Sequence, residues 1–263
     1  MRIPFFLVDA FTEKPFQGNP ACICLLESPA HEEWMQKVAM EMNQAETAFL
    51  VPGGEAFQLR WFTPAAEVAL CGHATLASAH ILWETDTIGE DQPAMFDTKS
   101  GRLTCNRAAN RISMDFPAKP AKEAQLPNRL TESISGTPVW TGQNGMDALV
   151  ELSSEAEVRE LEPDFAGLSG ADVRGVIVTA RSTSADYDFV SRFFAPGLGV
   201  REDPVTGSAH CCLCPYWAEK LGKEKMTGYQ ASKRGGFVGV RLCGERVILS
   251  GSAVTVVKGE LAA

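Results

Sequence analysis

Glu46 is the first residue of this sequence whose type and setting point to chemistry. It stands in the segment NQAETAFL, residues 43–50, where the residues that follow it are mostly apolar. A carboxylate at the mouth of a strand, against apolar neighbours, is suited to act as a general base near neutral pH. A glutamate at a sheet edge that faces water fits the same pattern. Glu46 is therefore a candidate proton-transfer residue, with the solvent-facing glutamate as the alternative.

Two helices are predicted to begin at glycine, after tight turns and among small residues. The first begins at Gly72 in the segment CGHAT, residues 71–75, and the second at Gly207 in TGSAH, residues 206–210. Free backbone N–H groups and the positive end of the helix dipole are exposed at each start. Both starts, with Ser208 in the second, are candidate sites for a substrate carboxylate, unless these glycines only permit close helix packing.

Two polar residues adjoin these helix starts. His73 lies in the first turn of the first helix, where the dipole is expected to lower its pKa and keep the imidazole neutral. In that form it would hydrogen-bond to a ligand or relay a proton. Asp203 lies in the turn before the second helix, where a carboxylate either contacts substrate or simply caps the helix.

A cluster of histidine and cysteine residues invites a metal-site interpretation, but its spacing argues against one. His210, Cys211, Cys212 and Cys214 lie close together on a predicted helix, so adjacent side chains point in different directions, and no second pair of ligands accompanies them. Ser208 lacks the Gly-x-Ser-x-Gly pattern of a nucleophile elbow. We therefore expect no bound metal and no serine-hydrolase chemistry.

The elements that would position these residues follow one order twice. Hydrophobic patterns predict strands at 3–11, 21–26, 46–51, 57–63, 101–107 and 111–116, and helices at 29–42 and 72–83. They then predict strands at 138–141, 146–152, 174–180 and 187–194, and helices at 154–165 and from residue 207. RWFTP at 60–64 resembles RFFAP at 192–196, and each precedes a glycine-opened helix. The pattern indicates two halves with one plan.

The segment between Pro117 and Pro127 contains three prolines and is the predicted domain boundary. It separates an N-terminal half, residues 1–117, which carries Glu46, from a C-terminal half, residues 127–263, whose last strand is able to return to the first half. Strand pairs followed by helices differ from the strict alternation of a doubly wound sheet, and no dinucleotide or phosphate-loop motif is present. We therefore expect an α+β fold and no nucleotide cofactor.

Composition limits the partners. The 263 residues carry a net charge of −9 and no run of Lys or Arg, so nucleic acid is not an expected partner. The longest uncharged apolar run, residues 68–83, is shorter than the roughly 20 residues of a membrane span, so no membrane contact is expected. No signal peptide is recognised before Asp9. These features predict a cytoplasmic protein whose eight cysteines are reduced.

Five segments occur in order along nearly the whole chain: GNPA at 18–21, NQAETAF at 43–49, RWFTP at 60–64, EVALCGHAT at 67–75 and EDPVTGSA at 202–209. Together they resemble the PhzF-like family of phenazine-biosynthesis-type isomerases. The resemblance implies the diaminopimelate-epimerase fold, in which two similar halves each wrap a curved sheet around a central helix, with the active site in the cleft between them. Characterised phenazine members isomerise a dihydro-hydroxyanthranilate without cofactor or metal, by moving a proton with a glutamate that matches Glu46.

The same comparison gives roles to the helix-start residues. His73 and Asp203 match polar groups that contact the amine or hydroxyl of the substrate and assist proton movement. Gly72, Gly207 and Ser208 match the groups that hold its carboxylate. These roles are what the resemblance implies, and they agree with the positions reached from the residues themselves.

Cys71 matches one of the two opposed thiols that related epimerases and racemases use. The second half has Asp203 in the corresponding turn, which disfavours a two-thiol mechanism and leaves a one-sided role for Cys71 open. We expect the adjacent helix start to lower the pKa of this thiol.

The predicted function is a cofactor-independent isomerase or epimerase that moves a proton on a small carboxylate, with a homodimer as the expected assembly. A non-catalytic small-carboxylate binding protein of the same fold is the alternative.

Overall fold

A computed structural model describes residues 2–262, and the chain divides into two compact units. The first unit comprises the described residues up to Asp115 together with those from Ser250 onward, and the second comprises Phe116–Leu249. The segment between Pro117 and Pro127 therefore belongs to the second unit, and the last strand belongs to the first.

The first unit is built on a mixed sheet. Its strands are β1 (Ile3–Ala10), β2 (Asn19–Leu25), β3 (Glu46–Gly53), β4 (Ala56–Phe62), β5 (Glu67–Val68), β6 (Ala94–Thr98), β7 (Gly101–Ala108), β8 (Arg111–Pro117) and β17 (Ala253–Leu261), and the last two residues of β8 fall in the second unit. The pairing is antiparallel for β1 with β2, parallel for β2 with β3, antiparallel for β3 with β4, parallel for β4 with β6 and antiparallel for β6 with β7. β17 pairs with β1 in the antiparallel direction.

The second unit repeats this topology. Its strands are β9 (Lys122–Glu123), β10 (Pro138–Gln143), β11 (Asp147–Leu152), β12 (Gly175–Arg181), β13 (Phe189–Phe194), β14 (Lys225–Gln230), β15 (Gly236–Cys243) and β16 (Arg246–Gly251). From β10 to β15 successive strands pair antiparallel, parallel, antiparallel, parallel and antiparallel. The two units therefore share one succession of strand pairings, in line with the repeated segments RWFTP and RFFAP.

Two long helices occupy equivalent places in the two units. The helices are α1 (Glu32–Met42), α2 (Gly72–Glu84), α3 (Asn128–Ser133), α4 (Glu155–Glu160), α5 (Phe165–Ser169) and α6 (Gly207–Leu221), with a short 3₁₀ turn at Pro196–Leu198. Ten of the 13 residues of α2 and ten of the 15 residues of α6 are buried, so both are core helices rather than amphipathic surface helices. The predicted starts at Gly72 and Gly207 are confirmed. None of the described helices is long and apolar enough to cross a membrane.

The predicted helix at 154–165 is wrong in its extent. α4 ends at Glu160, Leu161 adopts an extended conformation, and a separate helix, α5, begins at Phe165. Pro163 explains the interruption, because a proline disfavours helical geometry in the residue before it and cannot donate a backbone hydrogen bond within a helix.

The same ion pair holds the segment before the core helix in each unit. Arg60 of β4 makes a bidentate contact with Glu67, at 2.7 Å for both hydrogen bonds, and Arg192 of β13 does the same with Glu202, at 2.7 and 3.0 Å. Each arginine also lies over the phenylalanine two residues along its strand, at 5.2 and 4.9 Å from the ring centroid. Since each glutamate precedes the first helix glycine by five residues, these pairs fix how the chain enters α2 and α6.

The buried carboxylate of Glu155 joins several polar side chains of the second unit by hydrogen bonds. Its contribution to the stability of the protein can be tested. Glu155 accepts hydrogen bonds at Oε1 from Tyr187 and Arg159, and at Oε2 from Ser182 and Thr183. Burial alone would raise the pKa of Glu155, but these donors lower it to about 2.

We expect Glu155→Gln to lower the free energy of unfolding by about 2 kcal/mol near pH 7, because one amide oxygen cannot accept from all these donors. The wild-type contribution is present above pH 4.5 and is lost as the pH falls toward 2, whereas the variant lacks it throughout. Urea unfolding at several pH values measures both effects. Glu160→Gln, at the exposed end of the same helix, is the matched control, and equal losses in the two variants would contradict the prediction.

Candidate active site

The first unit brings Glu46, Cys71 and His73 together. Glu46 is the first residue of β3, Cys71 is the N-cap of α2 and His73 is the second residue of that helix. Glu46 Oε2 lies 3.1 Å from His73 Nε2, and Cys71 Sγ lies 3.5 Å from His73 Nδ1. The imidazole therefore stands between the carboxylate and the thiol.

The contact between Glu46 and His73 is close but poorly aligned. Both Glu46 Oε2 and His73 Nε2 are buried, and neither makes a hydrogen bond of acceptable angle with the part of the chain that the structure describes. Buried polar atoms in native proteins nearly always have an aligned partner. These two atoms are thus available for a ligand that would complete their hydrogen bonding. The side chain of Glu46 is 18% exposed, which excludes the alternative of a fully solvent-facing glutamate.

The predicted pKa of His73 is wrong in direction. Burial alone would lower the pKa of this imidazole, but Cys71 and Glu46 outweigh burial and hold it well above its ordinary value. The helix dipole lowers the pKa of His73, whereas the Glu46 carboxylate, only 3.1 Å away, raises it. The contact with the carboxylate has the larger effect. The raised pKa favours the protonated form of His73, which is suited to donate a proton or to stabilise negative charge.

The predicted pKa of Cys71 is also wrong in direction. Burial first, and then the charge of Glu46, raise the pKa of this thiol to about 11. The side chain is only 7% exposed, so the loss of solvation exceeds any stabilisation of the thiolate by the helix start. Cys71 is therefore a neutral thiol near pH 7.

The ligating atoms of Glu46, Cys71 and His73 all lie within 4.8 Å of one another. A carboxylate oxygen, a thiol sulfur and an imidazole nitrogen are donor types that zinc accepts. Within residues 2–262 this is the one such group, and it differs from the cluster that the sequence singled out around His210. All eight cysteines are free thiols, and Cys243 alone is exposed.

The second unit places Ser208 and Asp203 at the start of α6. Ser208 Oγ accepts a hydrogen bond from Arg174 Nη2 at 3.0 Å. Arg174 in turn makes a bidentate contact with Asp147, which is 1% exposed, at 2.5 and 2.8 Å. Because Ser208 Oγ accepts from a cation, its own hydroxyl proton is directed away from Arg174 and is available to another acceptor.

Asp203 does not cap α6. The N-cap is Thr206, which makes no side-chain capping bond to the helix, and its hydroxyl donates instead to Asp203 Oδ2 at 2.5 Å. Simple helix capping is therefore not the reason for a carboxylate at this position.

Sequence reasoning missed two residues of these sites. Asn19, at the start of β2, places its side-chain amide 3.2 Å from His73 Nδ1. In the sequence this residue was noted only as part of the segment GNPA, with no role of its own. Arg174, just before β12, lies in the predicted strand at 174–180, but it is 34 residues from Ser208 and outside the five segments of the resemblance, so nothing in the sequence marked it as a site residue. Such pairings depend on strand register, which one sequence does not specify.

Comparison with known proteins supports one family over nearly the whole length. The family model described as phenazine biosynthesis-like protein, PhzC-PhzF, matches residues 8–259. An uncharacterized isomerase of Halalkalibacterium halodurans is 53% identical over 262 residues, with 99% of each chain covered. An uncharacterized isomerase of Pseudomonas aeruginosa is 50% identical over the same length, again with 99% of each chain covered.

Solved structures agree with the sequence relatives. A PhzF family protein of Enterococcus faecalis superposes with a TM-score of 0.96 at 39% identity, covering all of both chains. A probable proline racemase of Agrobacterium radiobacter, at 12% identity and a TM-score of 0.64, covers 99% of this chain and 93% of its own, and shows likeness of fold alone. The predicted α+β architecture, with two pseudo-symmetric diaminopimelate-epimerase-like domains, is confirmed. The chain thus belongs to the PhzC-PhzF family of phenazine biosynthesis-like proteins.

Proposed function

We propose that this protein is a cofactor-independent isomerase or epimerase that moves a proton on a small carboxylate-bearing substrate, with Glu46 as the general acid and base. Relatives named isomerases and fold neighbours named epimerase and racemase support the isomerase class. The observation that carries the role of Glu46 is its buried, poorly aligned contact with the His73 ring at 3.1 Å.

The chemistry follows from these two groups. The Glu46 carboxylate removes a proton from a substrate carbon, so that a C–H bond breaks, an O–H bond forms and the electron pair moves into the conjugated system of the substrate. The adjacent His73, in its protonated form, stabilises negative charge during the transfer. Glu46 then returns the proton to another carbon on the same face of the substrate, whereas inversion at one carbon requires a second acid on the opposite face.

Recognition of the substrate is assigned to the helix starts. In each unit, the start of the core helix is proposed to bind an anionic group of a substrate, because helix N-termini favour anions. The groups concerned are the N–H at Gly72 in the first unit, and the N–H at Gly207 with the hydroxyl of Ser208 in the second. Asp203 is proposed to accept a hydrogen bond from an amine or hydroxyl group of a substrate.

Incorporation of solvent deuterium tests this function directly. The wild-type protein in heavy water is incubated with small amino and hydroxy carboxylates, and ¹H NMR follows the loss of each C–H signal. Proline and trans-4-hydroxy-L-proline begin the panel, because fold neighbours carry those names. Exchange at one carbon supports the proposal. Saturable binding without exchange at any carbon would instead support the non-catalytic binding protein.

Replacement of Cys71 separates the Glu46 mechanism from a thiol mechanism. We expect Cys71→Ser to retain most of the deuterium incorporation, because a thiol with a pKa of about 11 does not supply the base near pH 7. An inactive Cys71→Ser variant with an unchanged circular dichroism spectrum would restore the thiol mechanism.

Alkylation gives an independent check on the buried thiol. At pH 7.5 we expect iodoacetamide to modify exposed Cys243 first and to leave Cys71 unmodified, because a buried neutral thiol is a poor nucleophile. Peptide mass spectrometry over time measures the order of modification. Faster labelling of Cys71 than of Cys243 would show that the thiol is activated.

A further inference from the structure

The turn before α6 is held by a residue from a distant part of the second unit. Gln230, the last residue of β14, is fully buried, and all three hydrogen bonds of its side chain go to this turn. Its Oε1 accepts from the backbone N–H of Thr206 at 2.8 Å, and its Nε2 donates to the backbone carbonyl of Asp203 at 2.7 Å and to Thr206 Oγ1 at 3.1 Å.

These contacts fix the direction of the next hydrogen bond. The amide of Gln230 cannot be reversed, because reversal would place an N–H donor against the N–H of Thr206. Thr206 Oγ1 therefore accepts from Gln230, and its own proton goes to Asp203 Oδ2, 2.5 Å away. Donation thus runs in one direction, from Gln230 through Thr206 to the carboxylate.

The first unit builds the same turn without this network. EVALCGHA at 67–74 aligns residue for residue with EDPVTGSA at 202–209, so Val68 stands in the place of Asp203 and Cys71 in the place of Thr206. Both segments are followed by a buried core helix that begins at the aligned glycine. The hydrogen-bonded chain is therefore not required to form this kind of helix start, which argues for a role in function.

We propose that Thr206 and Gln230 are positioning residues, which hold Asp203 as a carboxylate of fixed orientation that accepts a hydrogen bond from an amine or hydroxyl group of the substrate. That the ligand of Asp203 is a substrate rests on the proposed function. The hydrogen bonds from Gln230 through Thr206 to Asp203 do not depend on it. A hydroxyl that donates to a carboxylate favours its charged form. Asp203 thus acts as a hydrogen-bond acceptor and not as the group that moves the carbon-bound proton.

Two titratable groups near the turn already have partners within the second unit. Glu202 is paired with Arg192 on the strand beside it. His210, one turn into α6, donates Nδ1–H to the carbonyl of Thr206 at 2.8 Å, and burial lowers its pKa to about 4, so it carries no charge near neutral pH. Thr206→Val removes the hydroxyl and keeps the shape, and it removes no helix cap because Thr206 makes none.

The test is a carboxyl ¹³C NMR titration of Asp203 in the full-length protein. We expect Thr206→Val to raise the pKa of Asp203 by about one unit or more, because a hydrogen bond to a charged group is lost, and Thr206→Ser to restore it. Thr227→Val, which removes a hydroxyl from the strand of Gln230, is the control and should cause no change. Gln230→Met removes the hydrogen bonds that Gln230 makes to the turn. It is used in place of Thr206→Val if that variant does not fold.

Two results would overturn the inference at different points. An unchanged Asp203 titration in folded Thr206→Val and Gln230→Met would show that the chain of donors does not act on the carboxylate, whatever the activity. A raised pKa with an unchanged dependence of deuterium incorporation on substrate concentration would remove Asp203 from substrate binding while leaving proton transfer by Glu46 in place. A raised pKa with a weakened substrate dependence would support the inference.

Discussion

Glu46→Gln is expected to reduce the incorporation of solvent deuterium into substrate by roughly 10²-fold or more, the usual loss when a positioned general base is removed. Glutamine has the same shape and can contact His73, but its amide does not accept a proton from carbon near neutral pH. The variant should therefore fold and bind the substrate while failing to exchange its proton. ¹H NMR in heavy water measures the rate, and circular dichroism checks the fold.

The control for this variant is Glu41→Gln, since Glu41 is an exposed glutamate near the end of α1 and is expected to be dispensable. The titration of His73 supplies a second observable. Because Glu46 is one of the neighbours that raise the pKa of His73, Glu46→Gln should lower that pKa, and the imidazole ¹H signals report it directly. Full exchange activity in Glu46→Gln would remove Glu46 from the mechanism, and an unchanged His73 titration would show that the pair does not interact.

The sequence was most informative where structure depends on local pattern. Gly72 and Gly207 begin the two core helices as predicted, since a tight turn followed by small residues is a local signal. The repeat of RWFTP and RFFAP contains the two arginines that hold the helix entries, but neither their role nor their glutamate partners were predicted from it. The interruption at Pro163 was equally local, and its effect on the helix at 154–165 was underestimated.

The pKa shifts, and the contacts between residues far apart in the chain, could not be predicted from one sequence. The pKa of Cys71 and of His73 shift in the direction opposite to that expected from the helix dipole, because burial and direct contacts outweigh the dipole, and both depend on tertiary packing. Gln230 contacts a turn 24 residues away through the end of β14. A glutamine in a strand gives no sign of such a contact, so the positioning network became evident only in three dimensions.

A second histidine gives the stability of the protein a pH dependence of large expected size. His210 is fully buried in α6, where Nδ1–H donates to the carbonyl of Thr206 and Nε2 makes no hydrogen bond within the described chain. Gly228 explains how the ring fits, since a Cβ at that position would lie only 3.0 Å from Nε2. Burial lowers the pKa of this imidazole from 6.5 to about 4.

The unfolded chain therefore binds a proton at His210 between pH 6.5 and pH 4, and the folded chain does not. Stability from this residue is complete above pH 6.5 and falls as the pH drops toward 4, by up to about 3 kcal/mol over that interval. His80, whose pKa burial also lowers, acts in the same direction, so a variant is needed to isolate His210.

The aligned residue of the first unit, Thr75, suggests the variant, because its hydroxyl makes the same bond to the carbonyl of the N-cap residue Cys71 at 2.5 Å. His210→Thr keeps that kind of hydrogen bond and removes the titrating ring. We expect it to be less stable than the wild type at pH 7.5, because it leaves a cavity, but to lose about 3 kcal/mol less between pH 6.5 and pH 4. Thr75→Ala is the control, since it removes the equivalent bond without removing a titratable group and should retain the wild-type slope. Urea unfolding at half-unit pH intervals measures the three curves, and parallel curves for wild type and His210→Thr would show that His210 is protonated in the folded protein as readily as in the unfolded chain.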